Sequence, residues 1–152
     1  MVGVSGNWSD TSNHWATTTG GATFYSAKPT ALDNVVFDSN SFPATGQTVT
    51  VDFEGTLGKN IDWSSATNTP TLNVNQKKIS IAGSLTLTNA MVITGNNING
   101  GTVFTSTTTS NTITTAGKNL GRIWFDGAGG EWSFTDNVLC DEVLISQGIL
   151  NT

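Results

Sequence analysis

Apolar and polar side chains alternate along most of this chain. The clearest runs are Thr48-Val49-Thr50-Val51-Asp52-Phe53, Thr71-Leu72-Asn73-Val74-Asn75, Lys78-Ile79-Ser80-Ile81, Ser84-Leu85-Thr86-Leu87-Thr88 and Asn111-Thr112-Ile113-Thr114. A period of two puts every second side chain on one face, so each run predicts a short strand with a single buried face. Gly- and Asn-containing stretches separate the runs. No stretch shows the i, i+3, i+4, i+7 spacing of an amphipathic helix. Residues 1–45 lack this rhythm. There Trp8 and Trp15 flank a run of turn formers, and Gly20-Gly21 and Pro29 break the chain before Val35-Val36-Phe37. The organisation expected is an N-terminal Trp-containing cap, 1–45, followed by a β-repeat region, 46–152.

Within that region the pattern recurs. Leu57-Gly58-Lys59 matches Leu120-Gly121-Arg122, and Ile61 and Trp63 match Ile123 and Phe125. Leu72 and Val74 fall where Trp132 and Phe134 do, and Ile81-Ala82-Gly83-Ser84-Leu85 echoes Ile145-Ser146-Gln147-Gly148-Ile149-Leu150. The offset is about 60 to 65 residues, and every matched apolar position stays apolar. Two repeats of about 60 residues are expected, the second incomplete. A unit of that size fits about three turns of a parallel solenoid, or a block of antiparallel strands. Asn-Gly-type hairpin signals are sparse, with Asn99-Gly100 and Asp126-Gly127 as the instances, and this favours the solenoid. Gly83 and Gly148 are expected to take positive φ where the chain bends between strands. The fold class expected is all-β, a right-handed parallel β-solenoid (β-helix) with the Trp-containing cap; an antiparallel β-sandwich or jelly roll is the alternative. Because the second copy stops partway, the expectation is a piece of a longer fibrous protein, or a module whose end a partner covers.

Composition sharpens this picture. Thr, Asn, Ser and Gly make up nearly half of the 152 residues, and charged residues only 11%. Such polar bias can signal disorder, but five Trp, seven Phe and recurrent Val, Ile and Leu supply a core. The polar half therefore reads as outward strand positions and turns, for which β-branched Thr is well suited. Six basic residues against eleven acidic give a net charge of −5, with no basic run beyond Lys77-Lys78. That excludes the positive footprint a nucleic-acid binder needs. Apolar runs such as Val35-Val36-Phe37 are too short to cross a bilayer, so no membrane insertion is expected. No signal-peptide pattern opens the chain, so a leader is absent or already removed. The lone Cys140 reads as a small buried residue.

The segment Gly6-Asn7-Trp8-Ser9-Asp10-Thr11, continuing to His14-Trp15, resembles the N-terminal GNWSD…HW signature of repetitive virion proteins of tailed bacteriophages. It is similar also to large bacterial surface and autotransporter-like β-helix proteins. In those groups a Gly-rich stretch, a Pro, an Asp-Asn-Val-Val-Phe-Asp-like segment and solenoid strands follow; here Gly20-Gly21, Pro29 and Asp33-Asn34-Val35-Val36-Phe37-Asp38 stand in that order. Thr115-Ala116-Gly117-Lys118-Asn119-Leu120-Gly121 and Phe125-Asp126-Gly127-Ala128-Gly129-Gly130 look like the phage repeat unit. The resemblance spans nearly the whole chain and implies architecture and context, not a chemistry.

Catalytic patterns are thin. His14 is the only histidine, and it reads as a packing or hydrogen-bonding residue beside Trp15. The acidic pairs open to a polysaccharide-cleaving reading are Asp52 with Glu54 on one strand face, and Asp141-Glu142 pointing oppositely; Glu131 sits alone in a Gly-rich turn. None forms a recognisable glycosidase pattern. Asp33, Asn34, Asp38 and Asn40, and Asp10 with Asn13, are oxygen donors that read as Asx turns rather than calcium ligands. Trp8 and Trp15 are expected to pack over the first rung, and Trp63 and Trp132 to lie in the core. Trp124 should face outward with Arg122 and Asp126, as a candidate surface for stacking on a sugar or packing on a partner. No cofactor and no catalysis are expected. The function expected is a structural and interaction module of a phage virion protein (tail fibre, head fibre or capsid decoration). A carbohydrate- or receptor-binding adhesin domain at a bacterial surface is the alternative. The partners implied are other virion or surface proteins, a homotrimer as in many fibres, and a host-surface glycan.

Overall fold

A computed structural model describes residues 3–12, 14–95 and 100–151. Its strands are β1 (Gly6–Asn7), β2 (Val35–Val36), β3 (Thr48–Thr50), β4 (Gly55–Gly58), β5 (Ile61–Asp62), β6 (Thr71–Asn73) and β7 (Ile79–Ile81). They continue with β8 (Leu85–Thr86), β9 (Val92–Thr94), β10 (Thr102–Phe104), β11 (Asn111–Thr114), β12 (Arg122–Phe134) and β13 (Glu142–Asn151). No helix occurs among the described residues, and every strand pairing is parallel. The chain is a β-solenoid of about five turns, and the antiparallel sandwich is set aside.

Three ladders are visited in a fixed order. The first stacks β1, β3, β6 and β9. The second stacks β4, β7, β10, the start of β12 and the start of β13; the third stacks β2, β5, β8, β11, the end of β12 and the end of β13. Along the second ladder Ile79, Thr102, Ile123 and Val143 are neighbours, 23, 21 and 20 residues apart. Along the third, Ile61, Leu85, Ile113 and Phe134 are 24, 28 and 21 apart.

The unit that hydrogen bonds repeat is thus the single coil. Ile61 and Ile123, aligned by the 60-residue offset, stand in different ladders. The physical reason is that all three strands of a coil share the same inward–outward alternation, so one ladder resembles the next in sequence. Residues 6–7 and 35–36, within the cap segment, pair directly with β3 and β5 and so belong to the ladders. Between them the chain makes an excursion containing a small hairpin, in which Ala16 bridges Phe24 in antiparallel fashion.

The inward residues stack coil upon coil. Phe37 lies 3.7 Å from Trp63 between ring centroids, and Trp8, Trp15 and Phe42 surround the pair at one end. Phe104, Phe125, Trp132 and Phe134 form a second aromatic group toward the other end. Buried Leu57, Ile61, Ile79, Ile81, Leu85 and Leu87 lie between. Each such side chain removed from water contributes about 1.5–3 kcal/mol, which is what makes so polar a sequence fold. Trp63 and Trp132 are fully buried, as the alternation predicts.

Two local expectations change. Asp126-Gly127 makes no hairpin but lies inside β12, whose register shifts there as it passes from the second ladder to the third. Gly127 is required because a Cβ would run into the Ser106 carbonyl, and Glu131 consequently sits on a strand, not in a turn. Gly148 does take positive φ, 93°, but Gly83 does not; its missing side chain leaves room for Asn60 and the Lys59 carbonyl of the preceding coil. Asn99 of the other hairpin signal, and Asn13 of the Asp10 cluster, lie outside the described residues.

Candidate functional site

The alternation of β12 sets its outer face. Ile123 and Phe125 are fully buried, so Arg122, Trp124 and Asp126 turn outward as a row, which is where the sequence places them. Each reaches across to β13 or to an adjoining coil. Arg122 Nε donates to Glu142 Oε2 at 2.7 Å, Trp124 Nε1 to Ser146 Oγ at 2.7 Å, and Gln147 Nε2 to Asp126 Oδ1 at 3.3 Å. Lys78 Nζ lies 4.2 Å from the centre of the Trp124 ring, within cation–π range. Val103, paired beside Trp124, is buried although its place in the alternation is outward. One face of the indole is therefore engaged by an ammonium and its N–H by a hydroxyl. The row braces neighbouring coils.

Trp8 and Trp15 sit in the core at the N-terminal end, with ring centroids 5.0 Å apart and Trp15 Nε1 donating to the Trp8 carbonyl at 2.8 Å. His14 is buried beside them, its Nε2 3.3 Å from Asp10 Oδ2, and its ring fills space that a side chain at position 6 would need.

The carboxylates are dispersed on local tasks. Asp52 accepts both the amide and the hydroxyl of Ser9, tying the excursion to the end of β3. Burial pushes the Asp52 carboxyl upward, but the two bonds from Ser9, its own backbone amide and the charge of Lys28 together outweigh that and hold it below its ordinary value. Asp141 accepts from Asn119 at 3.2 Å, Glu142 pairs with Arg122, and Glu131 accepts from Asn151 at 2.6 Å. Asp33 Oδ2 accepts the hydroxyl of Thr30 at 2.7 Å and its amide at 2.9 Å, and these bonds, the hydroxyl first, lower its pKa. Asp38 Oδ1 accepts from the Asn40 amide and the Ser41 hydroxyl, both at 3.0 Å. The Asp38–Asn40 bond, and that of the Ser12 amide to Asp10 Oδ1 at 3.0 Å, are Asx turns of the kind the sequence suggested, whereas Asp33 reaches back to Thr30 instead.

No protein-family model matches this sequence, and no curated protein and no solved structure matches it either.

Two features escaped sequence reasoning. The first is a cleft of about 640 Å³ between the 16–24 hairpin and the segment 29–36. One wall carries Thr17 and Tyr25, the other Leu32, Asp33 and Asn34. Tyr25, the only tyrosine, was a legible signal, but only the hairpin pairing of Ala16 with Phe24 brings it opposite residues 32–34. The second is the surface of the last coil. Beyond its contact with β12, the ten-residue β13 has no strand partner among the described residues, and Val143, Ile145 and Ile149 on it are 42, 55 and 58% exposed.

Proposed function

We propose that this chain is a structural and contact module of a bacteriophage virion protein, a tail fibre, head fibre or capsid decoration, acting without catalysis. The observation that carries this reading is the set of three parallel ladders around one continuous stacked core. Successive coils are joined by parallel backbone ladders, three of them between the coils of β3–β5, β6–β8 and β9–β11 and two between the coils of β12 and β13, and this resists bending and shear. The core leaves a void of only about 20 Å³ among residues such as Leu57, Ile61 and Leu72, room for about one water and no substrate. Cross-coil contacts brace the outside: Thr56 with Ser80 at 2.9 Å, Thr114 with Thr135 at 2.6 Å, and Arg122 with Glu142. The acidic residues open to a glycosidase reading are spread over separate contacts and do not converge on a groove, which supports a non-enzymatic role.

The contact part of the reading rests on β13. Val143, Ile145 and Ile149, half-exposed on β13, support a contact on this face, whether with a following coil, a virion or surface protein, or a copy in a fibre trimer. The absence of a basic stripe and the net charge of −5 support protein or glycan partners over nucleic acid. Virion or cell-surface location follows from the same reading. Mass spectrometry of purified particles tests it: peptides of this chain should co-purify with the particles in stoichiometric amounts. Recovery of those peptides solely from the soluble cell fraction would overturn the proposal.

A further inference from the structure

The cleft in the N-terminal excursion has the chemistry of a sugar site. Its volume, about 640 Å³, lies in the range of ligand-holding clefts, about 300–1,000 Å³. Its walls are held before any ligand arrives. Tyr25 N donates to the Trp15 carbonyl at 2.6 Å and Thr17 N to the Thr23 carbonyl at 3.0 Å, fixing the hairpin. Thr30 fixes Asp33 on the opposite wall, and Asn60 Nδ2 donates to Asn34 Oδ1 at 2.9 Å. Walls already ordered cost a ligand little additional conformational entropy.

The lining combines two kinds of group. Tyr25 and Leu32, 46 and 87% exposed, offer an aromatic ring and an apolar side chain. Asp33 uses Oδ2 for Thr30, which leaves Oδ1 as an acceptor, and Asn34 keeps its amide N–H groups as donors. Threonine hydroxyls at 17 to 19 add both capacities. A pyranose presents this complement: an apolar C–H face and a rim of hydroxyls. No Lys or Arg lines the cleft, so phosphate and nucleotide lack a counter-charge, and Asp33 repels anionic sugars. We infer that the cleft between the 16–24 hairpin and the 29–36 segment binds a short neutral oligosaccharide, with one ring against Tyr25. This site is separate from the Trp124 row and goes beyond the role of a rod segment.

The test is a glycan array with the full chain, carrying neutral, acidic and phosphorylated oligosaccharides, followed by calorimetry on the strongest hit. A neutral glycan should bind. Tyr25→Ala should weaken it about tenfold, the worth of one stacked ring, and Asp33→Asn should weaken it further when combined. Trp124→Ala should leave it unchanged. Leu32→Asp, at a position far from the core, gives a second reading of the cleft should Tyr25→Ala disturb the hairpin; circular dichroism reports that. The assignment is overturned if no glycan binds, if anionic glycans are preferred, if Leu32→Asp leaves a folded chain binding at full strength, or if Trp124→Ala abolishes binding.

Discussion

Phe37 stacks on Trp63 with ring centroids 3.7 Å apart and planes 16° from parallel. Phe37 follows β2 in the excursion-bearing first coil, and Trp63 follows β5 in the next, so this contact joins the N-terminal segment to the solenoid. Trp63 is also fully buried with an indole N–H that has no hydrogen-bond partner. Trp63→Ala is expected to cost about 3–5 kcal/mol through cavity formation. Trp63→Phe, which keeps the stack and removes an unsatisfied donor, should cost less than about 1.5 kcal/mol. Urea unfolding followed by circular dichroism measures both.

Acid should loosen the N-terminal segment first. The Asp33 and Asp52 carboxyls are held below the ordinary value of 3.8 in the folded chain. The folded state therefore binds fewer protons than the unfolded one near that pH, so their contribution is complete above about pH 5 and is lost as pH falls through the folded values. Asp52→Asn should flatten the decline of Tm with acidification between about pH 5 and 3 relative to the unaltered chain. An equally steep decline in the variant would show that Ser9 does not stabilise the Asp52 carboxylate.

Gly127→Ala should be poorly tolerated. The added methyl group would meet the Ser106 carbonyl where β12 crosses from one ladder to the next. A cost of about 2–3 kcal/mol is expected, typical of a steric clash that the backbone must relieve. Gly117→Ala supplies the contrast, because its φ of 71° is strained for alanine but nothing crowds the site. It should cost about 1 kcal/mol. Thermal unfolding distinguishes the two.

The last coil should govern association. Ile145 pairs with buried Phe125 across the ladder, yet is 55% exposed. Ile145→Lys should leave the monomer's circular dichroism spectrum and Tm nearly unchanged, since little burial is lost. A charge facing the free edge of β13 should suppress self-association. Sedimentation velocity over a range of concentrations reads this directly, and undiminished association would place the contact surface elsewhere.

Much of this architecture is decided locally. Alternation in 48–53, 71–75, 78–81 and 111–114 is enough to specify strands with one buried face, because a one-residue slip would expose every apolar side chain. The burial of Trp63 and Trp132 and the outward turn of Trp124, Arg122 and Asp126 follow from the same parity. What parity cannot carry is which strand lies beside which. All three strands of a coil alternate alike, so the sequence match of Ile61 with Ile123 crosses ladders that only the tertiary hydrogen bonds distinguish. Turn chemistry is similarly ambiguous: Asp126-Gly127 suits a hairpin, but close approach to Ser106 makes that glycine part of a strand that bends. The cleft around Tyr25 lies between two segments, 15–25, closed by its own backbone pairing, and 29–36, anchored to the next coil through Val35 and Asn60, and the two carry no shared pattern. Strand parity is written in neighbouring residues and can be read from them; ladder identity, the bracing of Trp124 by Lys78 and Ser146, and the cleft arise from contacts between distant residues and exist only once the chain has coiled.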